Sequence, residues 1–86
     1  MRGGRLSIEL CGCLADPYGR EVMLDVAADS LSVTALLAAL VAAYPALGDA
    51  MQGRAVRACV NETLVSDKSL VRLGDEIALF PPVSGG

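Results

Sequence analysis

Two kinds of residue in this chain could take part in chemistry. One is the pair Gly85-Gly86, which closes the run Leu79-Phe80-Pro81-Pro82-Val83-Ser84-Gly85-Gly86; the other is the set of three cysteines, Cys11, Cys13 and Cys59. A terminal glycine presents an α-carboxylate that is ionised at neutral pH, with an ordinary pKa of about 3.3–3.7. A carboxylate is a poor electrophile, so a reaction at Gly86 requires activation by another protein, for instance adenylation with ATP. Gly85-Gly86 has no side chain beyond Cα, and such a thread can pass a channel too narrow for other residues. Pro81-Pro82 cannot donate to a β-ladder, so it ends a strand and projects the chain in an extended, semi-rigid form. A merely flexible end is also often glycine-rich. What sets this ending apart is the hydrophobic strand and Pro-Pro ahead of the glycines.

The cysteines offer less. Cys11-x-Cys13 is expected to place two thiols on one face of a strand, yet no second pair and no histidine completes a metal site. Packing is the better reading, and no metal is expected. The chain has no histidine at all, which removes the commonest general base near neutral pH. Gly3-Gly4 precedes any strand and Gly12 stands alone, so neither resembles a phosphate-binding loop. With no acid–base pair and no activated nucleophile, the chain reads as a carrier or tag acted on by partners. It binds no cofactor itself in this reading, and ATP is used by the activating partner. An odd cysteine count without a secretory leader points to reduced thiols and a cytoplasmic location. A net charge of −3, seven scattered basic residues and only two tyrosines and one phenylalanine argue against nucleic-acid binding.

The elements that must hold this ending are legible in the hydrophobic pattern. With 86 residues the chain is one domain, able to bury about 60–65% of its unfolded surface. Leu6, Ile8 and Leu10 alternate with Ser7, Glu9 and Cys11, the period of a half-buried strand. Asp16-Pro17-Tyr18-Gly19 is a turn, after which Val22, Leu24 and Val26 form a second alternating strand. Leu31 to Gly48 is uncharged and approaches the length of a membrane span, but Pro45 cuts it and Asp29 and Asp49 flank it. Val33, Leu36, Leu37, Leu40, Val41 and Tyr44 share one stripe of a helix 33–44, about 18 Å long. Ser32 is its N-cap, and Pro45 with Gly48 is expected to stop it. Val56, Ala58 and Val60 mark a third strand, Asn61-Glu62 a tight turn into Thr63 to Val65, and Gly74-Asp75 the start of a last strand, Glu76 to Phe80. The order predicts an α+β domain: a mixed four- or five-stranded sheet with one main helix across one face. Residues 1–80 would form it, and 81–86 an extended reactive tail.

Leu79 to Gly86, preceded by Gly74-Asp75-Glu76, resembles the ending of the molybdopterin synthase small subunit, the sulfur-carrier member of the ubiquitin-like β-grasp superfamily. Val60-Asn61-Glu62-Thr63-Leu64-Val65-Ser66 resembles the same family at the family's distance from the ending. Element order and length carry the likeness over the rest. The loop around Gly12 to Arg20 lacks the Arg-Glu pair associated with many members, which bears on how a partner docks there.

The resemblance implies a β-grasp fold and a mechanism. An ATP-dependent adenylyltransferase of ubiquitin-activating type would convert the Gly86 carboxylate to an acyl-adenylate, and sulfur from a cysteine desulfurase route would replace AMP to leave a thiocarboxylate (1-thioglycine). The tail would enter the synthase large subunit, in a heterotetramer of two large and two small subunits. There it would donate sulfur to cyclic pyranopterin monophosphate, two transfers building the dithiolene of molybdopterin. In this picture Gly86 carries the reactive group, Gly85 allows passage, and Pro81 and Pro82 set the reach. Phe80, Val83 and Leu64 bind partners, the alternative for Phe80 and Leu64 being core packing. The chain would be non-catalytic alone and no membrane would be involved. Three other readings use the same residues: a sulfur carrier for thiazole or cysteine biosynthesis, a ubiquitin-like modifier joined to lysines through Gly86, or an interaction domain with an inert tail.

Overall fold

The computed structural model describes residues 3–51 and 56–81. Strand β1 (Gly4–Leu10) turns its leucines and Ile8 to one side, so Leu6, Ile8 and Leu10 are buried while Arg5 and Glu9 stay exposed. A four-residue 3-10 turn, Gly12–Ala15, buries Leu14 completely and leads through a loop to β2 (Glu21–Val26). The two strands pair antiparallel from Gly4↔Val26 to Glu9↔Glu21. Next come β3 (Ser30–Ser32), helix α1 (Val33–Ala43), helix α2 (Pro45–Met51), β4 (Arg57–Val60), β5 (Thr63–Val65), β6 (Leu70–Arg72) and β7 (Ile77–Phe80).

Five strands make one sheet in the order β2-β1-β7-β4-β5, and β3 with β6 makes a separate two-stranded ladder. The last strand therefore lies at the centre. It runs parallel to β1 (Ile8↔Ile77, Leu10↔Leu79) and antiparallel to β4 (Arg57↔Phe80, Val60↔Ile77). Helix α1 covers the inner face. Val33, Leu36 and Leu40 are buried together with Leu6, Ile8, Val60, Ile77 and Leu79 in one cluster. Each such aliphatic side chain contributes about 1.5–3 kcal/mol by leaving water.

The ends of α1 follow from local chemistry. Ser32 caps it, its hydroxyl accepting from the Ala35 N–H at 3.1 Å. The Val33 and Thr34 N–H groups donate to the Ser69 and Asp67 carbonyls at 3.0 and 3.1 Å. The loop before β6 thereby satisfies helix donors that have no partner within the helix. Tyr44 leaves helical geometry (φ −130°, ψ 80°) because a residue followed by proline is sterically excluded from it.

Four expectations need correction. Pro45 ends α1, but Gly48 stops nothing: it sits inside α2, where a Cβ would lie 3.0 Å from Val41 Cγ1. A glycine lets the two short helices approach. Val41, expected in the buried stripe, is exposed. Cys11 and Cys13 do not share a strand face, because β1 ends at Leu10 and Cys13 belongs to the 3-10 turn. The β3–β6 ladder was not expected either, three residues being too few to show a period. Among the described residues no helix is long and apolar enough to cross a membrane.

Candidate functional site at the root of the tail

Because β7 is pinned on both sides by ladders, its final residues are fixed in direction. Ile77 and Leu79 are 3% and 0% exposed, while Phe80 points to the outer face and is 36% exposed. Cys59 stands directly across from Ala78 on β4, and Leu64 directly across from Cys59 on β5. Leu64, at 52% exposure, thus shares the outer face with Phe80. The helices cover the other side of the sheet, so this face has no partner within the described residues. An open groove of about 810 Å³ runs over it, lined by Phe80, Ala78, Cys59, Glu9 and Glu62 among others. Arg5, another lining residue, makes an exposed ion pair with Asp25, Nε to Oδ1 at 2.9 Å. Pairs this exposed contribute little to stability.

The start of β7 is held by a polar network. Asn61 and Glu62 form the β4–β5 turn with φ of +52° and +69°, the paired left-handed geometry that suits a two-residue hairpin. The Asn61 N–H donates to the Glu76 carbonyl at 2.7 Å, and the Glu76 N–H donates to Asn61 Oδ1 at 2.9 Å. Asn61 Nδ2 donates to Asp75 Oδ1 at 3.1 Å, while the other Asp75 oxygen accepts from the Arg72 N–H at 2.8 Å. One asparagine and one aspartate therefore join the 61–62 and 74–75 turns. The Arg72 N–H, and after it the Asn61 amide, hold the Asp75 carboxyl below its ordinary range.

The end of β7 meets the loop after β1. The Cys11 N–H donates to the Leu79 carbonyl at 3.0 Å. Burial, and after it the Glu9 carboxylate, push the Cys11 thiol up, away from reactive thiolate. Among the described residues no three Cys, Asp or Glu side chains group to hold a metal ion.

The candidate site residues are thus divided. Phe80 and Pro81 lie at the exit of the central strand, and Leu64 lies on the same face but two strands away, on the edge strand β5. Pro82, Val83, Gly85 and Gly86 lie outside the described residues. Two contributors were missed in the sequence. Asp75 was assigned only to a strand start, and Gly12 was set aside as isolated. The Asn-Glu turn and the Gly-Asp-Glu run were each visible, but their pairing across the fold was not.

Helix over a mixed sheet, with a parallel first and last strand at its centre, is the ubiquitin-like β-grasp architecture. The crystal structure of SAMP1 from Haloferax volcanii superposes with a TM-score of 0.79 at 34% identity, covering 96% of this chain and all of that one. In sequence, the model of the ThiS family matches residues 18–86, and the chain belongs to that family. The molybdopterin synthase sulfur carrier subunit of Escherichia coli (strain K12) is 42% identical over 62 residues, which span 72% of this chain and 76% of that protein. The same-named subunit of Chlamydomonas reinhardtii is 43% identical over 56 residues, 59% of this chain and 61% of that one.

Proposed function

We propose that this chain is the sulfur-carrier subunit of a molybdopterin synthase. The observation that carries the reading is the placement of β7: the strand leading to the terminal segment is clamped at the sheet centre and delivers Pro81 beside the outward-facing Phe80. A sheet built this way holds a short peptide root rigidly while the domain docks by its uncovered face. The names of the relatives above support the choice of pathway.

In this account the Gly86 carboxylate attacks the α-phosphorus of ATP on an adenylyltransferase of ubiquitin-activating type, and pyrophosphate leaves. A persulfide then forms a C–S bond at the acyl carbon as the C–O bond to AMP breaks, and a thiol reduces the resulting acyl disulfide to leave the thiocarboxylate. In the large subunit, within a heterotetramer, the sulfur forms a C–S bond to a side-chain carbon of cyclic pyranopterin monophosphate as a C–O bond at that carbon breaks, the oxygen leaving with the phosphate or as water. Water then cleaves the acyl–sulfur bond and restores the carboxylate, leaving sulfur on the pterin. Two such cycles build the dithiolene. The chain itself supplies the acyl group, the thread and the docking face, and works in the cytoplasm.

Deleting Gly85 and Gly86 tests the proposal. The fold and melting temperature should stay as in the full chain, because the buried cluster of the described residues runs from Leu6 to Leu79, and dithiolene synthesis should fall to background. Full synthesis by the truncated chain would contradict the proposal. The likeness to SAMP1 favours a second reading, conjugation of Gly86 to lysines of other proteins. Adducts that survive denaturation would mark it.

A further inference from the structure

The aim of the tail depends on more than its two prolines. Gly12 lies one residue beyond the last rung that joins the first and last strands, the Cys11 N–H to the Leu79 carbonyl. Its φ of +60° breaks the chain away from the sheet, a geometry that residues with a side chain seldom adopt. The same glycine faces the first residue of the tail. A Cβ at Gly12 would lie 3.1 Å from Pro81 Cγ and 3.4 Å from Pro81 Cδ, so backbone and ring are already in close approach. Gly12 cannot readily retreat. The 3-10 turn it opens is closed by the Leu14 N–H to the Cys11 carbonyl and the Asp16 N–H to the Cys13 carbonyl, both 3.2 Å, and Leu14 is wholly buried. Pro81, half-buried and with its own φ locked by the ring, rests against that wall.

We propose that Gly12 is a positioning residue: its missing side chain leaves the space in which the Pro81 ring seats, and that seat sets the bearing on which the tail leaves the sheet. The inference rests on the carrier reading above, in which the bearing decides how the Gly86 acyl group meets the pterin. It assigns a role in tail aim to a loop that otherwise joins two strands and supplies Leu14 to the core.

Gly12→Asn separates the steric effect from the backbone effect, since asparagine tolerates the left-handed region but adds a Cβ. The thiocarboxylated full chain would be mixed with the large subunit and cyclic pyranopterin monophosphate in single turnover. Gly12→Asn should bind the large subunit with unchanged affinity yet transfer sulfur about tenfold more slowly or worse, since misplacement by about 1 Å can cost a hundredfold. Added to Pro81→Ala, which removes the ring atoms it would strike, Gly12→Asn should have little further effect. Transfer at the wild-type rate by Gly12→Asn, or an equal loss in both backgrounds, would overturn the proposal. Two variants that leave Gly12 intact decide the matter if Gly12→Asn does not fold. Pro81→Ala should impair transfer more than Pro82→Ala, although each removes one proline; equal effects would assign the aim to stiffness alone. The Gly85-Gly86 deletion, run in the same assay, keeps the two claims apart. Full transfer by the deletion sinks the carrier reading, whereas a dead deletion beside a fully active Gly12→Asn sinks only the role of Gly12.

Discussion

Phe80 is the residue on which the docking account concentrates. Its neighbours Ile77 and Leu79 are buried, and strand alternation turns Phe80 outward beside the root of the tail. Phe80→Ala should weaken binding to the large subunit by about 2 kcal/mol, some thirtyfold, as central aromatic anchors do. Because the ring is only partly covered, the melting temperature should move far less than for a core phenylalanine; titration calorimetry and a thermal melt check both. Asp75 gives a prediction in pH. Its folded pKa is depressed, so the stability it adds is present above its ordinary value of 3.8 and is lost as pH falls through the lower folded value. Asp75→Ala should destabilise the domain by about 0.5–1 kcal/mol near neutral pH, the scale of hydrogen bonds to a charged acceptor reduced by solvent screening at this exposed site. The gap between variant and wild type should close under acid; a gap that stays constant down to the acid transition would show that the carboxylate charge is not the cause.

At the scale of elements, the strands and α1 were legible because their side chains alternate or repeat against one buried face: Leu6, Ile8 and Leu10 on β1, Val33, Leu36 and Leu40 on α1. Short elements were not. β3 and β6 hold three residues each, and α2 was hidden by Pro45 and Gly48, which read as breakers but serve as its first residue and its packing notch. The β4–β5 turn was visible as Asn61-Glu62, though not that both residues would adopt positive φ. Asparagine tolerates that region, whereas glutamate is strained in it. Glu62→Gly should therefore stabilise the hairpin by about 0.5–1 kcal/mol, the left-handed penalty less the added chain entropy of glycine. Denaturant unfolding measures this directly, and a loss of stability would mean that the Glu62 side chain holds a favourable contact.

For the whole molecule, the topology explains why a sequence read from one end could identify the last strand but not its surroundings. The first and last strands lie side by side at the sheet centre, so the neighbours of Phe80 and Pro81 come from Gly12 and Arg57, far away along the chain. Hydrophobic period reports which face a residue takes and is silent on which distant loop it meets. The likeness of residues 60–86 to a known family bridged that gap for the fold. It said nothing of Gly12. In the architecture that results, one face of the sheet is covered and supplies the buried core, and the central strand leads to the terminal segment. The measurement that tests this most directly is a pull-down from the native cell through a tag at Met1, leaving Gly86 free, with intact mass read before and after denaturation. The account predicts a pterin-binding synthase subunit that leaves on denaturation, and a carrier whose mass shows one oxygen replaced by sulfur at Gly86. A chain recovered with only covalent protein adducts, or with an unaltered carboxylate and no such partner, would contradict it.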